Sequence, residues 1–154
     1  MARVGVALVP YFTVRGPRRQ GQLWCQSRSV REISVQREIL EAAGAPKIAS
    51  YLDPKYSATG RPATHLLPGQ SWHQWGTAMD CFHSVAEKSI WRGSTFDLMR
   101  DEAEKLGLVT GAAWFAAREP NHVQLGWERD VSVARSLTFR ELEVALGKIY
   151  DIGG

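Results

Sequence analysis

The sequence predicts an α+β fold with a small antiparallel sheet flanked by helices, and three observations carry that prediction. Segments with helical apolar spacing recur near residues 30–43, 95–106 and 138–149. Alternating segments appear around 77–82 and 122–127. The two kinds are mixed without a βαβ rhythm, so no parallel sheet is expected. At 154 residues, with 44% apolar and 23% charged side chains, the chain has room for one ordinary soluble domain, expected over 1–154.

In chain order, Met1 to Pro10 is apolar but is stopped by Pro10, with no small-residue cleavage site after it. It reads as a first strand rather than a signal peptide. Residues 18–29 form a short helix with Leu23 and Trp24 inward and the arginines outward. Val30 to Ala43 is a stronger helix, with Ile33, Gln36, Ile39, Leu40 and Ala43 in step and Gly44 as C-terminal cap. Residues 53–70 hold Asp53-Pro54, Gly60, Pro62 and Pro68-Gly69, a long irregular loop of the kind that usually serves function. Ala78, Asp80 and Phe82 then share one side of a strand. Ser94-Thr95-Phe96-Asp97 opens a helix with Leu98, Met99, Ala103 and Leu106 inward, ending at Gly107. Gly111–Phe115 and His122–Trp127 read as strands joined by a turn containing Glu119-Pro120-Asn121. Thr138 to Glu141 opens a last helix carrying Leu142, Val144, Leu146 and Ile149.

The formal charge is +3, which suits ordinary solubility. The Arg15–Arg31 stretch is basic, but its charges alternate with apolar residues like the wet face of helices. No nucleic-acid motif stands behind it, and nucleic acid is not expected as a partner. No run is long enough to span a bilayer. Cys25 and Cys81 lack both CxxC spacing and a disulfide framework, so synthesis in a reducing cytoplasm is expected, with Cys81 a small buried residue.

The chemistry concentrates in Ser71-Trp72-His73-Gln74-Trp75-Gly76-Thr77-Ala78-Met79-Asp80 and Glu119-Pro120-Asn121-His122. A catalytic zinc ion takes three protein ligands and keeps one position open for water. His73, Asp80 and His122 offer two imidazoles and a carboxylate, which suit zinc. Gly76 lets the chain bend between the first two. Glu119, three residues before His122, is the natural general base: it takes a proton from the attacking water and returns it to the leaving amine. There is no HExxH helix and no Ser or Cys nucleophile motif. Each residue also has a plainer reading. Asp80 can be a strand-end acid, Glu119 and Asn121 can simply shape a turn, and Trp72 and Trp75 can be core aromatics or the lining of a substrate groove. His65 and His83 read as satisfied core or surface residues, with His83 nearer the site because it follows on the same strand.

Ser71, His73, Gly76, Ala78 and Asp80, followed by Glu119 and His122, match the Ser-x-His-x-x-Gly-x-Ala-x-Asp and Glu-x-x-His signature. The sequence therefore resembles the VanY-like zinc peptidases, the D-Ala-D-Ala carboxypeptidases and L-alanyl-D-glutamate endopeptidases of bacteria and phages. The resemblance implies that His73, Asp80 and His122 bind Zn2+ and that Glu119 is the base. Upstream, Arg15 and Gln20 match an Arg-x-x-x-x-Gln helix. The resemblance implies that Arg15 faces the active site, holding a substrate carboxylate or the oxyanion. Ser71 and Gln20, with Trp72 and Trp75, are then expected beside the substrate, and Arg18 and Arg19 read as surface charge. Val123 and Gln124 depart from the aromatic and acid that often follow the last His. The similarity runs over roughly residues 8–126 and implies the fold shared with the hedgehog signalling domain.

The function expected from these residues is zinc-dependent hydrolysis of peptidoglycan stem peptide, by analogy as an L-alanyl-D-glutamate endopeptidase acting as a phage or prophage endolysin. Such an enzyme would be made in the cytoplasm as a monomer, without membrane insertion, and act on the wall after release. The alternatives are a D-Ala-D-Ala carboxypeptidase and, in another class, a non-catalytic zinc-containing wall-binding module, whose mark would be a missing Glu119.

Overall fold

The computed structural model describes residues 7–58, 61–91, 93–113, 119–125 and 136–150. Its helices and antiparallel strands are the α+β class expected. The chain divides into two compact units, Met1–Val14 with Trp75–Asp130, and Arg15–Gln74 with Val131–Gly154.

The first unit holds the sheet. Its strands are β1 (Leu8–Phe12), β2 (Ala78–Val85), β3 (Lys88–Ile90), β4 (Val109–Thr110) and β5 (His122–Gln124), and every pairing is antiparallel. β2 is central: its Asp80 has Phe12 of β1 and His122 of β5 as cross-strand partners. One face carries Met79, Cys81 and Val123. It packs on α4 (Thr95–Lys105) through Phe96, Met99 and Ala103, spaced as one helical stripe. Leu98 and Leu106, expected inward, are 40% and 77% exposed, because Phe96 takes the inner position and rotates the stripe. The other face carries Ala78, Asp80 and Phe82, as the alternation predicts.

Three strand predictions change at their ends. The expected strand at 111–115 begins earlier, as β4, and Gly111–Ala113 is a 3-10 turn; residues 114–118 lie outside the described part. The strand expected over 122–127 is β5, His122–Gln124; Leu125 is already outside it, and 126–127 lie outside the described residues. The opening strand likewise begins at Leu8 among the described residues and runs on through Pro10.

The second unit is helical. Its elements are α1 (Pro17–Cys25), α2 (Val30–Ala42), α3 (Pro46–Ser50) and α5 (Phe139–Tyr150). Pro17 and Pro46 stand in first helical turns, where a missing N–H is harmless. α2 and α5 open on capping boxes, Ser29 with Glu32 and Thr138 with Glu141. α2 ends before Gly44, whose φ of 76° is the left-handed conformation of a C-terminal cap. Ile33, Leu40, Ile48, Leu52, Leu142 and Leu146 are fully buried, whereas Ile39, Val144 and Ile149 are about half exposed. The buried stripes are narrower than the apolar pattern.

α1 buries Gln20, Gly21, Trp24 and Cys25 and leaves Arg18 and Arg19 in solvent. Leu23, expected inward, is half-buried. Arg28 is not surface charge: its guanidinium stacks 3.9 Å from the Trp24 ring and donates to the Trp24 and Thr64 carbonyls. It thereby ties the loop of residues 53–70 to α1. Both cysteines are free and buried, and burial pushes the Cys25 thiol up to about 11, leaving it inert as a nucleophile at neutral pH.

Candidate metal centre and active site

The site begins with a turn. Glu119 N–H donates to the Gly111 carbonyl at 3.0 Å, and the Glu119 carbonyl accepts from His122 N–H at 3.1 Å. Residues 119–122 are thus a four-residue turn with Pro120 at its second position, where a fixed φ is favoured. This is the physical content of the Glu-x-x-His spacing. The turn delivers His122 as the first residue of β5 and leaves the Glu119 side chain exposed beside it. Register follows from the main chain, since Cys81 N–H donates to the Asn121 carbonyl and Leu125 N–H to that of Thr77.

Directly opposed residues on antiparallel strands project their side chains to the same face. Asp80 and His122 are such a pair, and Ala78 and Gln124 are the next. His122 Nδ1 lies 2.8 Å from Asp80 Oδ1, and His122 Nε2 lies 3.0 Å from Gln124 Oε1. An amide oxygen only accepts, so Nε2 donates to Gln124, and this contact orients the ring with Nδ1 facing the Asp80 carboxylate. The His122 and Asp80 side chains are 6% and 18% exposed, so water screens the pair poorly.

His73 stands in the 3-10 turn Trp72–Trp75, and Gly76, in the left-handed region at a φ of 70°, lies between that turn and β2. It is buried, and its carbonyl accepts from Arg15 N–H at 3.1 Å. His73, Asp80 and His122 together make a donor set that could hold a metal ion. Two imidazoles and one carboxylate fit a divalent ion of the zinc type and leave a position open.

Of the other expected site residues, Ser71 is buried, Arg15, Trp72 and Trp75 are half-buried, and Gln20 is fully buried. Gln20 donates to the Leu66 carbonyl at 2.7 Å and accepts from Gln74 at 3.3 Å, so its amide is spent inside the protein. His83, read as a satisfied core or surface residue, sits on the β2 face opposite Asp80, and its Nδ1 lies 3.1 Å from Thr95 Oγ1. His65 is exposed.

In the sequence Gln124 stands only as a departure from the residues that often follow the last His. Its position two residues past His122 on a strand was the signal that it shares the ligand face. It fixes the imidazole's proton and orientation, so Gln124→Leu should weaken metal binding about tenfold. Titration against a competing chelator checks this; unchanged affinity would mean that the contact does not orient the ligand.

The sequence profile of the VanY family, described as D-alanyl-D-alanine carboxypeptidase, matches residues 1–128. The chain belongs to that family. Membership supports a peptidase that acts on peptidoglycan. No curated protein matches the chain. Among the described residues no helix is long and apolar enough to cross a membrane.

Proposed function

We propose that the protein is a zinc-dependent peptidase of peptidoglycan stem peptides that removes a terminal D-alanine. What supports this reading is the donor set His73, Asp80 and His122 in a chain of the VanY family, with Glu119 on the turn that leads into His122. The bound ion would lower the pKa of a water and polarise the scissile carbonyl. Glu119, exposed at the head of the turn, takes the proton of the attacking water and delivers it to the leaving amine. In this reading Arg15, whose main-chain N–H donates to the His73 carbonyl, receives the substrate's terminal carboxylate with its guanidinium. Ser71, Trp72 and Trp75 are the proposed flank of the peptide groove.

The family's description names the carboxypeptidase, so that activity replaces the endopeptidase as the leading specificity. Cleavage between L-alanine and D-glutamate, with the lytic phage role that would go with it, is the other outcome of one experiment. Purified peptidoglycan and a stem pentapeptide are digested with the zinc-loaded protein, and the products are read by mass spectrometry. Free D-alanine that disappears with chelator and returns with zinc is the expected result. New N-terminal D-glutamate without free D-alanine would overturn it in favour of the endopeptidase. No hydrolysis by the metal-loaded protein would favour a non-catalytic wall-binding module.

A further inference from the structure

The residue after His73 is a fully buried glutamine, and every polar group of its side chain is used. Gln74 Oε1 accepts from Gly69 N–H at 3.1 Å and from Ser71 N–H at 3.2 Å, closing the turn that leads into His73. Gln74 Nε2 donates to Gln20 Oε1 at 3.3 Å, and Gln20 Nε2 donates in turn to the Leu66 carbonyl at 2.7 Å. The Gln74 main chain is held as well. Its N–H donates to the Ser71 carbonyl at 2.9 Å, and its carbonyl accepts from Tyr150 Oη at 2.6 Å. Arg15 N–H grips the carbonyl one residue earlier.

We propose that Gln74, held by Gln20 and Tyr150, is a positioning residue that fixes His73 for metal binding. A buried amide is costly unless its hydrogen bonds are made, and a leucine of similar size would fill the space without that cost. Glutamine does what an apolar side chain cannot: it links the backbone of residues 69 and 71 to Gln20 of α1, which in turn holds the Leu66 carbonyl. Ligand geometry tolerates errors of only about 0.5 Å. A loop that is otherwise irregular gains that definition from this network, and Tyr150 extends it to the last helix. Gln20 is thereby given a role inside the protein instead of beside the substrate.

This inference rests on His73 being a metal ligand. The test uses the full chain, zinc titration against a chelator, and the visible spectrum of the cobalt-loaded protein, which reports ligand geometry. Gln74→Leu should weaken zinc binding about tenfold or more, the range found for groups that orient metal ligands. Tyr150→Phe, which keeps the ring and loses one hydrogen bond, should weaken it less and shift the cobalt bands in the same direction. If Gln74→Leu does not fold, Tyr150→Phe decides. Wild-type affinity and an unchanged cobalt spectrum in the folded variants would overturn the positioning role, even with a lowered melting temperature. A wild-type protein that binds no zinc would overturn the metal reading itself and this inference with it.

Discussion

Replacing His122 by alanine should empty the metal site and lower peptide hydrolysis by about a thousandfold or more. Metal-ion stabilisation of transition-state charge is worth several kcal/mol, and about 1.4 kcal/mol is tenfold in rate. The fold should survive the change. The turn and the register at this point are made by main-chain groups, His122 N–H to Glu119 and Cys81 N–H to Asn121, which alanine retains. Val123, the neighbour that packs into the core, is untouched. Asp80 loses the imidazole at 2.8 Å, but its side chain is 18% exposed and can be hydrated in place. Metal analysis of the purified variant, with circular dichroism as the control for folding, checks the prediction. Full metal content in a folded His122→Ala protein would remove this residue from the ligand set.

The contrast with Gln124→Leu separates two ways of weakening the same site. Loss of a ligand removes a bond to the metal. Loss of the group that holds the ligand's far nitrogen leaves the bond but frees the ring to rotate and to change tautomer. A graded series, with the Gln124 variant well above the His122 variant in affinity, is what the cross-strand geometry requires.

Why some of this was legible in the sequence and some was not follows from how far apart the interacting groups lie. The starts of α2, α4 and α5 and the path of β2 are written in local spacing, and local spacing was enough. α3 is different: it has five residues, and its Ile48 N–H is satisfied by Glu143, 95 residues away. The β2–β3 hairpin turns on Ala86 and Glu87, at φ of 45° and 64°, with neither the glycine nor the asparagine that usually marks such a turn. The short β3 was therefore invisible. Ile39, Leu98, Leu106, Val144 and Ile149 show the limit of periodicity, which finds the apolar side of a helix but not how much of it a neighbour covers.

The same division runs through the site. Metal-ligand chemistry picks out His73, Asp80 and His122 from residue type and spacing, and strand register explains how Asp80 and His122 meet. The buried amides escape such reading. Gln20 and Gln74 are 54 residues apart, and a glutamine in a sequence does not reveal whether it faces water, substrate or another amide. Gln20 was accordingly expected at the substrate, when its hydrogen bonds point inward.

Glu119→Gln should cut hydrolysis by about 10²–10⁴-fold while leaving the metal in place. The amide has the carboxylate's shape but cannot accept the proton of the attacking water or pass it on. The fold should be kept, because the main-chain bonds from Glu119 to Gly111 and His122 do not depend on the side chain. The pair of variants then resolves the roles: His122→Ala loses metal and rate together, Glu119→Gln loses rate alone. Metal content, thermal melting and kcat/KM on a stem pentapeptide measure all three. A Glu119→Gln protein that hydrolyses at the wild-type rate would place the base on another residue, and one that loses its metal would make Glu119 a support of the ligand set instead of the proton carrier.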